Sequence, residues 1–333
     1  RAALLQECLD GLFAQTRRPD RVIVIDNAST DDALNVARRH PLRPEITELA
    51  HNVGGAGGFC AGVALALDTP ASTTHDMQYV WLMDDDTIPT ATALEKLLAT
   101  ASAARGVNGV WPTALGSKAV WVDGREHLMN KPRERTWLAL GRRHLHTDQA
   151  GTVSATGTTS FAPDPFSAMA GTAFQVRSLS FVSCLISMRA IHSAHTLPRS
   201  AYFLWNDDFE FTTRLLKHGT GYYVPGSQVV HKTKVFGSSD ADPGARFFYE
   251  VRNKCWILRC SRHNFTPAEY VELVLKTARR WALTFMRSKD RRLTFDCLKR
   301  GLREGLGSKP SSNTEILAGN DAVVRAVEAV EAV

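Results

Sequence analysis

The sequence has no run of apolar residues approaching the length of a membrane-spanning helix, and no signal-peptide pattern opens it, so a cytoplasmic setting is expected. Its six cysteines (Cys8, Cys60, Cys184, Cys255, Cys260 and Cys297) are scattered and form no CxxC pair. That excludes a structural zinc motif and leaves reduced thiols as the expectation. No GxGxxG spacing is present, and no Lys-Ser/Thr follows a glycine-rich turn, so neither a dinucleotide fingerprint nor a P-loop is available. Net charge is modest as well: the value is +6, and residues 271 to 304 alone hold ten Lys or Arg against four Asp or Glu. The remainder is near neutral, which argues against a general nucleic-acid-binding surface. What is present is 333 residues with 44% apolar and 22% charged content, an ordinary globular balance sufficient for one large core and an appendage.

The most informative stretch is Tyr79-Val80-Trp81-Leu82-Met83-Asp84-Asp85-Asp86-Thr87. A short apolar run without polar alternation reads as a strand buried on both faces. Carboxylates at its carboxyl end lie where an open α/β sheet keeps its ligand crevice. Three adjacent like charges repel, and a divalent cation with a taste for hard oxygen ligands relieves them. A polar turn that happens to be acidic is the competing reading.

Taken in order, residues 2 to 15 carry a helical stripe at Leu4, Leu5, Cys8, Leu9, Leu12 and Phe13. Val22 to Ile25 form a strand ending in Asp26, and Asn27 to Asp32 a turn that caps a helix over about 31 to 39. A helix ahead of the first strand is, in a parallel sheet, the crossover from an earlier strand, so a strand is expected before Arg1. A short strand near Ile46 leads to Asn52-Val53-Gly54-Gly55-Ala56-Gly57-Gly58, a turn that lets backbone approach a ligand, with a helix expected over about 59 to 68. A glycine turn without chemical role is the alternative. Residues 104 to 170 are less regular, and Gly151 to Gly171 reads as a mobile loop.

Further on, Trp205-Asn206-Asp207-Asp208-Phe209-Glu210 puts three carboxylates at the start of a helix expected over about 208 to 218. Favourable placement at the positive helix end accounts for one of them, but not for three beside a tryptophan. His231 closes a short apolar strand and, taken alone, reads as a structural residue, with a metal ligand as the alternative. Residues 243 to 304 read as helices, of which the second and third combine Trp281, Leu283, Phe285, Leu293, Phe295 and Leu298 with the basic surplus. Such a pair suggests an anionic membrane surface, and a merely solvated face is the plainer alternative. Gly305 to Asn313 reads as a linker, and the tail to residue 333 as a loosely attached helix.

In sequence, VIVIDNASTDD, NVGGAGG, WLMDDD, WNDDFE and VVH resemble the inverting family-2 glycosyltransferases of GT-A fold, over residues 1 to about 260. NVGGAGGF and FFYEVRNK (residues 247 to 254) look most like actinobacterial galactofuranosyltransferases that initiate cell-wall galactan, and related rhamnosyltransferases share most of the motifs. The resemblance implies an α/β fold, with Rossmann-like nucleotide-sugar binding on a mostly parallel central sheet, and a helical C-terminal region. It divides the chain into a catalytic domain (1–242), a basic helical region (243–304) and a linker with tail (305–333). Members usually begin with a strand ending Thr-Tyr-Asn-Arg, whose last letter Arg1 would match.

By the same resemblance, Asp84, Asp86 and His231 hold Mn2+ or Mg2+, and Asp208 is the catalytic base. Arg1, Asp26, Asn52, Gly54, Asp84 and Asp85 face the nucleotide sugar. Gly57, Gly58, Trp205, Asp207 and Glu210 face the acceptor. The implied donor is UDP-galactofuranose and the implied acceptor a polyprenyl-diphosphate-linked oligosaccharide. The enzyme is expected to sit peripherally on the inner face of the cell membrane, with no nucleic-acid partner and with homo-oligomerisation left open. A dTDP-rhamnose-dependent enzyme and a catalytically silent sugar-nucleotide-binding protein are the rival readings.

Overall fold

The computed structural model describes residues 1–68, 78–134, 151–153, 159–161, 173–233, 236 and 242–332. The opening stripe forms α1 (Ala2–Phe13), whose Leu5, Cys8, Leu9 and Leu12 pack against α2 (Ala33–Arg39) and one face of a parallel pair. That pair is β1 (Ile23–Asp26) and β2 (Glu45–Glu48), with Ile23 opposite Glu45. The glycine-rich segment differs from expectation. It is the first turn of α3 (Gly54–Leu67), not a loop ahead of a helix near residue 59. Glycine is a poor helix former, and tertiary contacts override that here. Asn52 Oδ1 accepts the Gly54 N–H at 2.8 Å, and Asn27 Nδ2 donates to the Gly54 carbonyl at 2.9 Å. Gly54 itself has φ 73 and lies under the Phe203 carbonyl, where a Cβ would come within 2.0 Å of the oxygen.

The main sheet is built from β3 (Tyr79–Leu82), β4 (Thr87–Pro89), β5 (Ala114–Val120), β6 (Arg133–Glu134), β9 (Phe174–Ser178), β10 (Cys184–Ser187) and β11 (Gly221–His231). Between them, β7 (Gly151–Val153) and β8 (Thr159–Phe161) make a separate antiparallel hairpin, and the rest of the stretch expected as a mobile loop lies outside the described residues. The spatial order is β3-β10-β5-β11-β9-β6, with β4 on the far end of β11.

The expected mostly parallel sheet is corrected to a mixed one: among the described pairings of this sheet only β5 with β11 is parallel. The reason is connectivity. β3 reaches β5 through α4 (Ala93–Asn108), and β10 reaches β11 through α5 (Met188–Ala194) and α6 (Asp207–Leu215). The α4 crossover returns the chain in the same direction, so β3 and β5 run alike, whereas β11, entered through α5 and α6, runs opposite to β10 and parallel to β5. β10 enters without such a crossover and slots antiparallel between β3 and β5. β11 shifts register between Val224 and Gln228, a bulge that accommodates Pro225 and its missing N–H.

Three long helices follow: α7 (Phe247–Cys260), α8 (Pro267–Arg287) and α9 (Arg291–Gly307). Gly301 and Gly305 let α9 lie directly on α7, since a Cβ at Gly305 would come within 2.5 Å of the Cys255 Cβ. The tail is part of the core and is not loosely attached. After the single turn α10 (Asn313–Ile316), α11 (Asp321–Glu331) buries Val323, Ala326, Val327 and Val330 in the cluster that holds Cys60, Val63, Ala64 and Leu67 of α3. Each buried valine contributes about 1.5 kcal/mol. Asn313 Oδ1 accepts the Ser200 N–H at 2.8 Å, and Asn320 Nδ2 donates to the Glu48 carbonyl at 3.1 Å.

Candidate active site

The acidic turn leaves β3 and re-enters the sheet as β4, and β4 pairs antiparallel with the end of β11 so that Thr87 faces His231. The Lys232 N–H donates to the Asp86 carbonyl at 2.8 Å, fastening the two segments beyond the ladder. Sheet register therefore delivers an imidazole from far along the chain to the carboxylates. Asp84, Asp86 and His231 each offer a ligand atom within 4.8 Å of the other two. Two hard oxygen donors and one imidazole suit a divalent cation such as manganese or magnesium. The buried Asp86 Oδ1 has no hydrogen-bond partner, and His231 Nε2 lies 3.3 Å from it, which fits a shared ion.

The electrostatics point the same way. Burial, reinforced by the Asp86 charge, pushes the Asp84 carboxyl up to about 7. Asp85 is also raised by burial, against the pull of Arg1. Burial works on Asp86 too, but the neighbouring His231 and Arg1 outweigh it and hold that carboxyl below its ordinary value. Arg1 Nε donates to Asp85 Oδ2 at 2.7 Å, and its Nη1 reaches Asp86 Oδ2 at 3.3 Å, so the guanidinium joins the acidic cluster.

On the facing wall, α6 starts with Asp207 and Asp208, just after a contorted turn. Phe203, Trp205 and Asn206 have φ of 61, 67 and 65, the left-handed region that non-glycine residues seldom occupy. The FFYEVRNK helix holds this turn. Asn253 Nδ2 lies 2.9, 2.9 and 2.8 Å from the carbonyls of Tyr202, Leu204 and Trp205, Arg252 donates to those of Ala201 and Tyr202, and Glu250 accepts from Asn206 Nδ2. Asp207 is buried, and burial followed by the Asp208 charge raises it well above its ordinary value, with Asp84 close enough to add to the effect. Asp208 is raised by burial, opposed by the Phe209 N–H, the Ser180 side chain, Lys254 and the Phe181 N–H.

Three expected assignments are corrected. Glu210 is fully buried among Arg199 at 3.4 Å, Arg214 at 3.1 Å and the Ser261 hydroxyl at 2.7 Å, so an acceptor cannot reach it. Burial opposes its ionisation, but Arg214 and Arg199 prevail and keep the carboxyl below its ordinary value. Gly54 has its N–H and carbonyl engaged by Asn52 and Asn27, and Gly57 packs on Val53, so both are architectural. Gly58, by contrast, faces open space. Asp26 ends β1, where it accepts the Ser29 N–H at 3.3 Å, and Asn52 is exposed just before α3. Trp205 is half-buried at the head of α6.

Asn130, Ser180, Arg252 and Asn253 were missed. The first two are neutral polar residues outside any motif. An Arg-Asn pair inside an aromatic-rich helix was a usable signal, because such side chains are buried only with partners.

A mixed α/β sheet carrying an Asp-x-Asp turn and a distant histidine is the layout of a GT-A glycosyltransferase. Residues 1–167 match the model of glycosyl transferase family 2, and the chain belongs to that family. Among curated relatives it is similar to galactofuranosyltransferase GlfT1 of Mycolicibacterium smegmatis, 35% identical over 102 residues, which cover 30% of this chain and 32% of that protein. It is also similar to galactofuranosyltransferase GlfT1 of Mycobacterium tuberculosis, 39% identical over 84 residues, covering 25% of this chain and 26% of that protein. The matched stretches thus span at most about a third of those relatives. Among solved structures, the mannosyltransferase PcManGT from Pyrobaculum calidifontis aligns over 99% of this chain and 84% of its own, with 14% identity and a TM-score of 0.47.

Proposed function

We propose that this chain is an inverting, metal-dependent transferase that moves galactofuranose from UDP-galactofuranose to a polyprenyl-diphosphate-linked oligosaccharide in cell-wall polysaccharide synthesis. The observation that carries the reading is the convergence of Asp84, Asp86 and His231 within 4.8 Å. The likeness to the two GlfT1 proteins supports the choice of sugar. Asp84, Asp86 and His231 would hold manganese or magnesium, which supplies charge neutralisation to the departing nucleoside diphosphate. Asp26, Asn52, Arg1 and Asp85 would meet the donor nucleotide, and Trp205 and Gly58 the acceptor sugar.

Asp208 takes the proton of the acceptor hydroxyl as that oxygen attacks the anomeric carbon. Its raised pKa makes it a better base at neutral pH than an ordinary carboxylate. Attack opposite the leaving diphosphate inverts the anomeric centre. A double displacement would need a second, nucleophilic carboxylate. Burial favours the protonated form of Asp207, and two guanidiniums occupy Glu210, so neither supplies one.

The lipid-linked acceptor would be met at an anionic membrane face. No helix among the described residues is long and apolar enough to cross a membrane. The basic α8 and α9 instead expose Val271, Leu275 and Met286 on one helix and Phe295 and Leu306 on the other, each more than half exposed, while Trp281 and Leu298 pack inward. Residues three turns apart share a helix face, so these side chains form stripes bordered by Lys and Arg.

Titration calorimetry tests the donor site: UDP should bind much more tightly with Mn2+ than with EDTA, and equal affinity would remove the metal reading. Asp208→Asn should fold normally and lose about 10²–10⁴-fold in turnover. Retained turnover would remove Asp208 as the base. A donor panel containing UDP-galactofuranose and dTDP-rhamnose assigns the sugar.

A further inference from the structure

A line of neutral polar side chains joins the two walls of the site. His231 Nδ1 lies 2.9 Å from Asn130 Oδ1 and Asn130 Nδ2 donates to Ser180 Oγ at 3.1 Å, while the Ser180 side chain, close to Asp208, works against the burial that raises its carboxyl. Donor and acceptor rules allow only one polarity along it. An amide oxygen accepts and never donates, so His231 carries its proton on Nδ1. Asn130 and the Val182 N–H both donate to Ser180 Oγ, which leaves the hydroxyl proton for the Asp208 carboxylate. At the other end, His231 Nε2 faces Asp86 Oδ1, which has no hydrogen-bond partner, across 3.3 Å, two atoms that a bound cation would share.

We propose that Asn130 and Ser180 are positioning residues that link the two functional walls: Asn130 fixes the His231 tautomer so that Nε2 faces the cation, and Ser180 aims the Asp208 carboxylate at the acceptor. The inference rests on the glycosyltransferase reading above. Asn130 ends a 3-10 turn between β5 and β6, and Ser180 caps the 3-10 turn that leads into β10, so each sits on a segment anchored by the sheet. The other groups bearing on Asp208 are Asp207 and the Phe209 N–H on its own helix, the latter donating to Asp208 Oδ1 at 2.6 Å, with Lys254 on α7 and the Phe181 N–H.

Three variants test this, with Mn2+ affinity measured by calorimetry, the His231 tautomer by ¹⁵N NMR of the metal-free protein, and the acid limb of the kcat/KM–pH profile. Asn130→Ala should weaken Mn2+ binding about 10- to 100-fold and unlock the tautomer. Ser180→Ala should leave Mn2+ affinity unchanged and move the acid limb upward by about one pH unit, because a donor to the carboxylate is lost. Asn130→Asp keeps an acceptor for the imidazole but removes the donor to Ser180, so Mn2+ affinity should return towards the wild-type value, a rescue that a purely structural role would not give. Wild-type metal affinity and tautomer in Asn130→Ala, or an unmoved acid limb in Ser180→Ala, would overturn the proposal. In those outcomes Asp208→Asn would still be inactive and the wild type would still bind Mn2+. Failure of these last two controls would instead overturn the glycosyltransferase reading.

Discussion

Replacing Asn253 with alanine probes how the wall that carries Asp207 and Asp208 is held. Its amide nitrogen has two protons and lies within reach of three carbonyls, those of Tyr202, Leu204 and Trp205. The loss therefore amounts to about two net hydrogen bonds at roughly 1 kcal/mol each, plus roughly 1–3 kcal/mol for carbonyls left buried without a donor. Against this, the turn it braces holds Phe203, Trp205 and Asn206 at positive φ, each costing roughly 1–3 kcal/mol. Relaxation of that strain returns part of the loss. The expected net destabilisation is about 1–3 kcal/mol, a fall in Tm of roughly 2–6 °C for a chain of this size.

The larger effect is on chemistry. A relaxed turn displaces the start of α6, and a shift of about 1 Å in a reacting group can cost roughly 10²-fold. Turnover should drop on that scale, while Mn2+ affinity stays near wild type, because Asp84, Asp86 and His231 are set by the β4–β11 register. Asn253→Asp, which keeps the size and loses the donors, should behave alike. Paired measurements of kcat, Tm and Mn2+ affinity decide the matter. Wild-type kcat, or a loss of Mn2+ affinity as large as the loss of kcat, would refute the reasoning.

The metal-free protein should become less stable as pH rises from about 4 to about 7. Asp84 has its folded value raised from 3.8 to about 7, so the stability it contributes is full below 3.8 and is lost as pH climbs through 7. Mn2+ should correspondingly bind about tenfold more tightly per pH unit below 7; scanning fluorimetry with and without Mn2+ reads both, and a pH-independent Mn2+ shift contradicts the account. Glu210→Gln should lower stability by about 3–5 kcal/mol in urea titrations, yet leave turnover per folded molecule intact. Lost turnover at unchanged stability would restore Glu210 to the acceptor side. A triple change, Arg287→Glu with Arg292→Glu and Phe295→Ser, should reduce sedimentation with anionic vesicles, and wild-type binding should fall with salt. Equal wild-type binding to neutral vesicles would count against the surface assignment.

Much of the site was legible because its chemistry is carried by compact local patterns. The β3 strand ends in its acidic turn where the apolar run stops, and the carboxylates of α6 announce a helix start. Their separation could have been read further. Asp208 and Glu210 are two positions apart, which places them on opposite sides of a helix, and only one of those sides can face a cleft. The mixed sheet was not legible, since the direction of β10 depends on which neighbours it slots between, and no local pattern encodes that. The helical glycines escaped for a related reason: intrinsic preference argues for a loop, and the close approach of Phe203 to Gly54 is known only in three dimensions. Neutral residues such as Asn130, Ser180 and Asn253 carry no charge pattern at all, and their significance lies in what they bridge.

The seating of α11 on α3 has a consequence for how the molecule is made. Residues near 60 and near 327 share one apolar cluster, so a nascent chain holds the inner face of α3 uncovered until α11 has been made. The same late-arriving segment clips Ser200 and the end of β2 through Asn313 and Asn320. Assembly around the contorted turn ahead of α6 therefore waits on α11, and a stop before it leaves a sticky intermediate in place of a smaller fold.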